Sequence, residues 1–478
     1  MTARYDIAVL GGGPAGMAAA TLAAQHGAST ALLDENGAPG GQVYRAPAPG
    51  LALPATPDSR DGDALRAALA ASGATVRTGV RVWSFGGGPL VASGEAASDF
   101  RLDIFSASQV ESIAARALIL CPGTHERVMP FPGWTLPGVI GLAAATVLLK
   151  AEGVLPGKRV VVAGTGPLLA AVAAGILKAG GSVAAVVDAA PRGAWLSALP
   201  ALASRPDLLA RGAGWLAKIL RAGVPVFSAS RISRADGDAA VSAVDVVPLG
   251  GGAGRRIDCD ALCIGHGLVP ATEVSRLYHA AHRFAAPRGG WLPVLDAWQR
   301  TSVRLLYAAG DGAGIAGAAA APHSGRIAAL AALQDLGKLD AARVGTAAAA
   351  SRPALAQAEK FGATMASLMT PPPALLAAIP PDTVVCRCED VTRAEIDAAA
   401  EAGARDLNQL KQFTRCGMGP CQGRMCGEAA AGLLAARVGS REAVGWFTPR
   451  VPLRPVPLAI LLGDFDYADI PTPPPAPP

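Results

Sequence analysis

The sequence predicts an α/β protein: two Rossmann-like dinucleotide-binding domains followed by a small, mainly helical, cysteine-rich domain. Three observations predict it. An apolar strand runs directly into Gly11-Gly12-Gly13-Pro14-Ala15-Gly16 near the N-terminus. A second strand, glycine turn and helix begin at Lys158. Five of the eight cysteines fall between Cys386 and Cys426. The expected division is residues 1–140 with 290–340 for the first nucleotide domain, 141–289 for the second, 341–380 for a linker, 381–440 for the cysteine domain and 441–478 for an extended, proline-rich tail.

Tyr5 to Leu10 is the first strand, helical Ala and Leu spacing then runs to Gln25, and a second strand, Ser29 to Leu33, ends in Asp34-Glu35. This is the dinucleotide fingerprint in its full context. Gly11 makes the tight turn, Gly13 lets the backbone approach a pyrophosphate, and Gly16 permits close helix–strand packing. Pro14 and Ala15 open the helix whose N–H groups and partial positive charge face the phosphates. Asp34, with Glu35 beside it, is placed to accept hydrogen bonds from ribose hydroxyls. Pro39 to Arg45 is a glycine loop in which Gly41, Gln42 and Arg45 are positioned to approach an isoalloxazine or its ribityl chain.

Ala117 to Thr124 is a buried strand ending in a small-residue turn at Gly123, with Cys121 read as a small buried hydrophobe and His125 as a loop histidine. The second βαβ unit follows: Lys158 to Ala163, then Gly164-Thr165-Gly166-Pro167-Leu168-Leu169, with Asp188 ending the next strand. Leu169 replaces the third glycine, so this unit reads as a nicotinamide-type domain that keeps its fold without a firm ligand site. The uncharged run Val160 to Leu177 has the length of a membrane span, but Gly164–Pro167 interrupts it where a Rossmann unit turns. Leu305 to Asp311 returns to the first domain; Gly310 and Asp311 end a strand, and Asp311 is placed to bond a ribityl hydroxyl. With the first fingerprint, this specifies FAD over NAD as the N-terminal ligand. No redox cysteine pair stands beside the 39–45 loop or in the second domain, where Cys259, Cys263 and His266 read as core or turn residues, which argues against disulfide reduction.

The C-terminal cysteines read Cys386-x-Cys388, a 27-residue gap, then Cys416-x4-Cys421, with Cys426 to spare. Four thiolates from two short loops suit a 2Fe-2S cluster, two sulfurs per iron. Gly417, Gly419 and Gly423 allow amides to turn toward the sulfurs. A tetrahedral zinc site is the rival. Thr392 to Glu395 reads as a capping box opening the domain's first helix.

Composition narrows the partners. Hydrophobic residues at 51% against 17% charged exclude a disordered chain, and a net charge of +5 without a basic block gives nucleic acid no footing. No charged segment ahead of an apolar run opens the sequence, so a cytoplasmic, reducing setting is expected, with the clustered cysteines as ligands rather than disulfides.

Taken in this order, Leu33 to Glu35 with Pro39 to Arg45, Glu126-Arg127 with Pro130 to Gly138, Gly310-Asp311, and Thr414 to Cys426 resemble one group. It is the large, or alpha, subunits of bacterial heteromeric FAD-dependent amine and amino-acid dehydrogenases, such as those of opine oxidase, hydrogen cyanide synthase and D-hydroxyproline or proline dehydrogenases. These have a pyridine nucleotide-disulphide oxidoreductase fold of glutathione-reductase type and a bacterioferritin-associated-ferredoxin-like 2Fe-2S domain. The resemblance implies an electron-transfer subunit. Its partner would be a substrate-oxidising beta subunit resembling D-amino acid oxidase, with a small ferredoxin-like gamma subunit in some relatives. It also implies an FMN at the alpha–beta contact, FAD or another adenine nucleotide in the first site, and a respiratory acceptor that would bring the protein to the inner membrane face. Two rivals stay open at this point: a self-sufficient NAD(P)H-dependent diaphorase, which needs the Gly164–Asp188 site, and a non-catalytic scaffold. No residue stands out as an acid–base catalyst.

Overall fold

The computed structural model describes residues 2–88, 99–106 and 109–462. Among them, the first sheet has seven strands, and its order is set by apolar runs too short and too β-branched to be helices. Strand Ala3–Leu10 lies between Thr30–Leu33 and Gln109–Leu120, parallel to both. Thr75–Arg77 continues one edge. The 12-residue strand Gln109–Leu120 is long enough to take two partners on its other side, Phe100–Ser106 antiparallel and Leu306–Ala308 parallel. Leu306–Ala308 thus returns the chain to the first domain after a long excursion, as the Gly310-Asp311 reading requires.

The second sheet has five strands, all parallel: Val226–Ser228, Ser182–Asp188, Arg159–Gly164, Ala261–Gly265 and Val139–Gly141. Helix Leu168–Lys178 covers it, and the uncharged run from Val160 is therefore a strand, a turn and a helix. Among the described residues no helix is long and apolar enough to cross a membrane. Leu169 is buried among Val160, Val172 and Ile176, so the core of this domain has accommodated the side chain that replaces the third glycine. Strands Thr124–Glu126 and Leu268–Pro270 pair antiparallel and carry the chain between the two domains.

The 341–380 stretch, expected as a linker, is mostly packed structure. Helix Ser351–Leu368 buries Leu355 and Ala358 against Ile327 and Ala320, and Leu368 against Ala198 and Leu202. Alanine-rich faces let this helix sit close on both nucleotide domains. The C-terminal unit is mainly helical, with Arg393–Glu401, Leu407–Thr414, Gly427–Val438 and Arg441–Val444 around a core of Val385, Ile396, Leu410 and Leu434. Its first helix opens on the capping box, Thr392 with Glu395. The final prolines fall beyond residue 462, outside the described residues.

Candidate functional site

The first glycine turn sits at the carboxyl edge of the first sheet, where open α/β sheets bind ligands. Gly11 has φ +102°, and a Cβ there would run into the carbonyl of Cys121; a Cβ on Gly16 would run into the carbonyl of Gly11. Both positions therefore demand glycine. Helix Pro14–Gln25 starts with no side-chain cap, so its first N–H groups are left for an anion. The 39–45 loop docks onto this turn: Gly40 N–H donates to Gly12 O (2.8 Å), and a Cβ on Gly41 would stand 3.1 Å from Gly13 Cα. Gln42 is exposed on that loop, and the Arg45 Nε is buried without a partner.

Asp34 is 5% exposed and does more than the sequence implies. Its Oδ2 accepts from Gly12 N–H (2.6 Å) and its Oδ1 from Asn36 N–H and Nδ2 (2.7 and 2.8 Å), so the carboxylate ties the second strand to the glycine turn. Glu35 points outward and faces Arg454 at 3.6 Å. Gly123, with φ +70°, has open space on its Cβ side. Gly310 sits against Ala15 and donates to Ser324 Oγ (2.9 Å). Asp311 accepts from Ala316 and Gly317 N–H (2.9 and 2.8 Å), while burial pushes its pKa up. It borders a cavity of ≈ 500 Å³ that also meets Arg288, Arg352 and Glu359. The sequence-predicted residues of the first site thus converge on one sheet edge, and the glycine cradle, uncapped helix and adjoining cavity fit a dinucleotide.

The second glycine turn is different. A Cβ on Gly166 would stand 2.5 Å from Met369 Cγ, and one on Gly267 would stand 2.5 Å from the Met369 carbonyl. Thr165 Oγ1 donates to that carbonyl (3.2 Å). The residue after helix Ser351–Leu368 therefore lies across the turn where a pyrophosphate would sit. Asp188, the acid at the strand end, accepts from Ala190 N–H and Trp195 Nε1–H, both at 2.9 Å. Asp188 is thus bonded within its own domain much as Asp34 is in the first, and the difference between the two sites lies in the Met369 cover over the glycine turn.

In the C-terminal unit the Sγ atoms of Cys386, Cys416 and Cys426 lie within 4.8 Å of one another, all buried. Cys388 and Cys421, half-buried, form a second group in which the Cys421 N–H donates to the Cys388 sulfur. The neighbouring Cys416 and Cys426 thiols, with the amides of Gly417 and Glu389, hold the Cys386 thiol well below its ordinary pKa. Contact with Cys386, then Cys416, and burial push the Cys426 pKa up. The four residues expected as ligands are brought together, and Cys426, taken from the sequence as a spare, joins them. Its spacing did carry a sign of this: Cys421-x4-Cys426 repeats the Cys416-x4-Cys421 interval. Phe447 closes the pocket, lying 2.7 Å from where a Cβ on Gly417 would be.

Ion pairs seat this unit on the first nucleotide domain, which the chain re-enters before the expected residue 290: Val274, Tyr278 and Ala280 already pack with Ala8, Leu102 and Leu118 of the first sheet. Arg424 Nε meets Glu273 Oε1 at 2.8 Å, and Arg424 Nη2 donates to Leu453 O. Arg127 Nε faces Glu428 Oε2 at 3.4 Å, and Arg441 bonds the same carboxylate at 2.8 Å. His125 lies among these charges with its Nδ1 unpartnered, and burial holds its pKa below the usual histidine value. The remaining cysteines are core. Burial pushes Cys121 and Cys263 up to about 12 and Cys259 up to about 11. His266 is pushed down to about 3 by burial and by Arg127.

A family model described as pyridine nucleotide-disulphide oxidoreductase matches residues 5–334, and one described as sarcosine oxidase A3 domain matches residues 381–464. The A subunit of opine oxidase from Agrobacterium tumefaciens (strain Ach5) is 38% identical over 96% of this chain and 91% of its own. Hydrogen cyanide synthase subunit HcnB of Pseudomonas protegens is 34% identical over 94% of this chain and 96% of its own. The crystal structure of L-proline dehydrogenase from P. horikoshii superposes with a TM-score of 0.71 at 21% identity, covering 97% of this chain and 81% of that one. That last likeness is one of fold.

Proposed function

The chain belongs to the pyridine nucleotide-disulphide oxidoreductase family, and from that premise we propose that it is the electron-transfer alpha subunit of a heteromeric amine or amino-acid dehydrogenase. It is an oxidoreductase subunit, similar along its length to large subunits of enzymes acting on amine or amino-acid donors. In our reading the first site takes FAD or another adenine nucleotide, with Gly11, Gly13, Pro14, Ala15 and Gly16 cradling the pyrophosphate. Asp34 supports the ribose end, and Gly41, Gln42, Arg45, Gly123, Gly310 and Asp311 line the remainder. The thiols of Cys386, Cys388, Cys416 and Cys421 hold a 2Fe-2S cluster, which when bound supplies one-electron transfer.

The observation that carries this reading is the pocket of five thiols keyed by Arg424–Glu273 and Arg127–Glu428 against the first nucleotide domain. Five sulfurs in two groups exceed what one tetrahedral zinc ion takes and match a two-metal group better. The chain's own role is then to hold the cluster beside the flavin domain, with amides aimed at Cys386 and Cys388 to offset negative charge. A partner resembling D-amino acid oxidase oxidises the substrate, and a respiratory acceptor takes the electrons; an FMN at the subunit contact and a gamma subunit complete the arrangement. The self-sufficient diaphorase is disfavoured because Met369 lies across the glycine turn of the second nucleotide site.

The test is to co-express the chain with its neighbouring reading frames, prepare the complex anaerobically, and assay flavin, iron, acid-labile sulfide and turnover against an amino-acid panel. Zinc in place of iron and sulfide would end the cluster reading; rapid turnover by the lone chain with NADH would end the subunit reading.

A further inference from the structure

Helices Arg192–Leu202 and Pro206–Arg221 follow one another on the second nucleotide domain, away from the sites described above. Leu196 and Leu199 on the first are 65% and 44% exposed, and Leu216 and Leu220 on the second are 46% and 59% exposed. Single exposed leucines are ordinary on a protein surface. Four within one 25-residue stretch call for a cover. The second helix shows how they arise. Ile219 is buried with Val183 and Val224 and fastens the helix to its domain. Leu209, Leu216 and Leu220 recur at i, i+7 and i+11, so they fall along one flank of the helix. Leu209 is drawn into the contact with Leu368, Trp195 and Phe361, whereas the same flank is left open at Leu216 and Leu220.

Charge decides what fits there. From Arg192 to Arg221 there are five cations against the single acid Asp207, a net of +4 where the whole chain carries +5. Asp207 is taken by Arg205 at 2.7 Å, and Arg211 pairs with Asp58 at 2.6 Å. Arg192, Lys218 and Arg221 are exposed and meet no carboxylate among the described residues. Leucines along one flank of a helix, with cations around them, are the chemistry of an anionic lipid surface: acyl chains take the leucines and headgroup phosphates take the cations. We propose that helix Pro206–Arg221, together with Leu196 and Leu199 of the helix before it, docks this protein on an anionic bilayer surface. Leu216 and Leu220 dip below the headgroups, and Lys218 and Arg221 hold the helix there. The docking needs neither the nucleotide nor the cluster proposed above.

The test floats the full chain, purified without partners, with vesicles of phosphatidylglycerol and phosphatidylcholine in equal parts, and with vesicles of phosphatidylcholine alone. Wild type travels with the anionic vesicles at low salt, and about 0.5 M salt releases most of it. Lys218→Gln/Arg221→Gln weakens binding to anionic vesicles about thirtyfold, the share of two cations near a charged surface. Leu216→Asp/Leu220→Asp weakens it at least about tenfold while circular dichroism stays native, because neither leucine belongs to the core. Should the aspartate variant lose its native spectrum, Leu216→Gln/Leu220→Gln decides on the same vesicles. Absence of wild-type protein from the anionic vesicles overturns the proposal, as do leucine variants that bind like wild type. Loss of vesicle binding when the neighbouring subunits are co-expressed assigns this face to a protein partner and overturns it as well.

Discussion

The Met369 strap makes a quantitative prediction about nicotinamide nucleotides. For NADH to occupy the Gly164–Gly166 turn, the Thr165 Oγ1–Met369 O hydrogen bond must break, which costs about 1 kcal/mol. Lifting the half-buried Met369 side chain off Gly166 costs about 1.5 kcal/mol more. The sum, about 2.5 kcal/mol, is close to two decades in Kd, so a site that would bind NADH at about 10 μM if open binds it at about 1 mM. Met369→Ala removes the side-chain share and should tighten binding about tenfold. Calorimetric titration of the full chain with NADH measures both constants, and anaerobic absorbance near the flavin band reports reduction. Wild-type binding in the low micromolar range, with the flavin bleached within seconds, refutes the argument. So does a Met369→Ala protein that binds no tighter than wild type.

Other perturbations test the rest of the molecule. Gly16→Ala drives a Cβ into the Gly11 carbonyl, and should cost at least about 3 kcal/mol and strip bound flavin, measured by urea unfolding and by absorbance after gel filtration. Arg424→Met leaves the largely enclosed Glu273 carboxylate unpaired, with an expected loss of about 3 kcal/mol. Limited proteolysis near residues 370–385 should then speed up, and an unchanged cleavage rate would show that this ion pair does not hold the cysteine unit in place. For Asp6, burial works against the charged form, but Lys338 and the Ser29 groups outweigh it and hold the pKa at about 2, below the ordinary value of 3.8. A depressed carboxylate stabilises the fold above its unfolded pKa. The Asp6 contribution should therefore be full at neutral pH and fade as pH falls from about 4 toward 2. Asp6→Asn should flatten that part of the stability–pH curve, and an identical curve would remove Asp6 from the account.

Local architecture was legible in the sequence wherever one short segment carries the whole pattern. The Gly11–Gly16 turn could be read because strand, turn, helix and terminal acid follow one another within about 30 residues, each with its own pattern. The capping box at Thr392 and the clustering of cysteines were legible for the same reason. The replacement of a glycine by Leu169 signalled a weakened second site, yet not what fills it: Thr165 and Met369 are 204 residues apart, and nothing in either neighbourhood anticipates their contact. Cys426 was read as a spare although Cys421-x4-Cys426 repeats the Cys416-x4-Cys421 interval, so spacing alone does not choose between the two pairs. That the two sulfurs meet depends on the path of the Cys416–Cys426 loop, which folds the Cys426 sulfur back to 3.9 Å from Cys416. The seam of Arg424 with Glu273 spans 151 residues and is likewise a product of packing. The sequence by itself determined the first glycine turn and the clustering of the C-terminal thiols, since both are written in residues close together along the chain. Only the tertiary structure decided which sites are open, which are covered, and which thiols meet, because those depend on distant segments arriving at the same point in space.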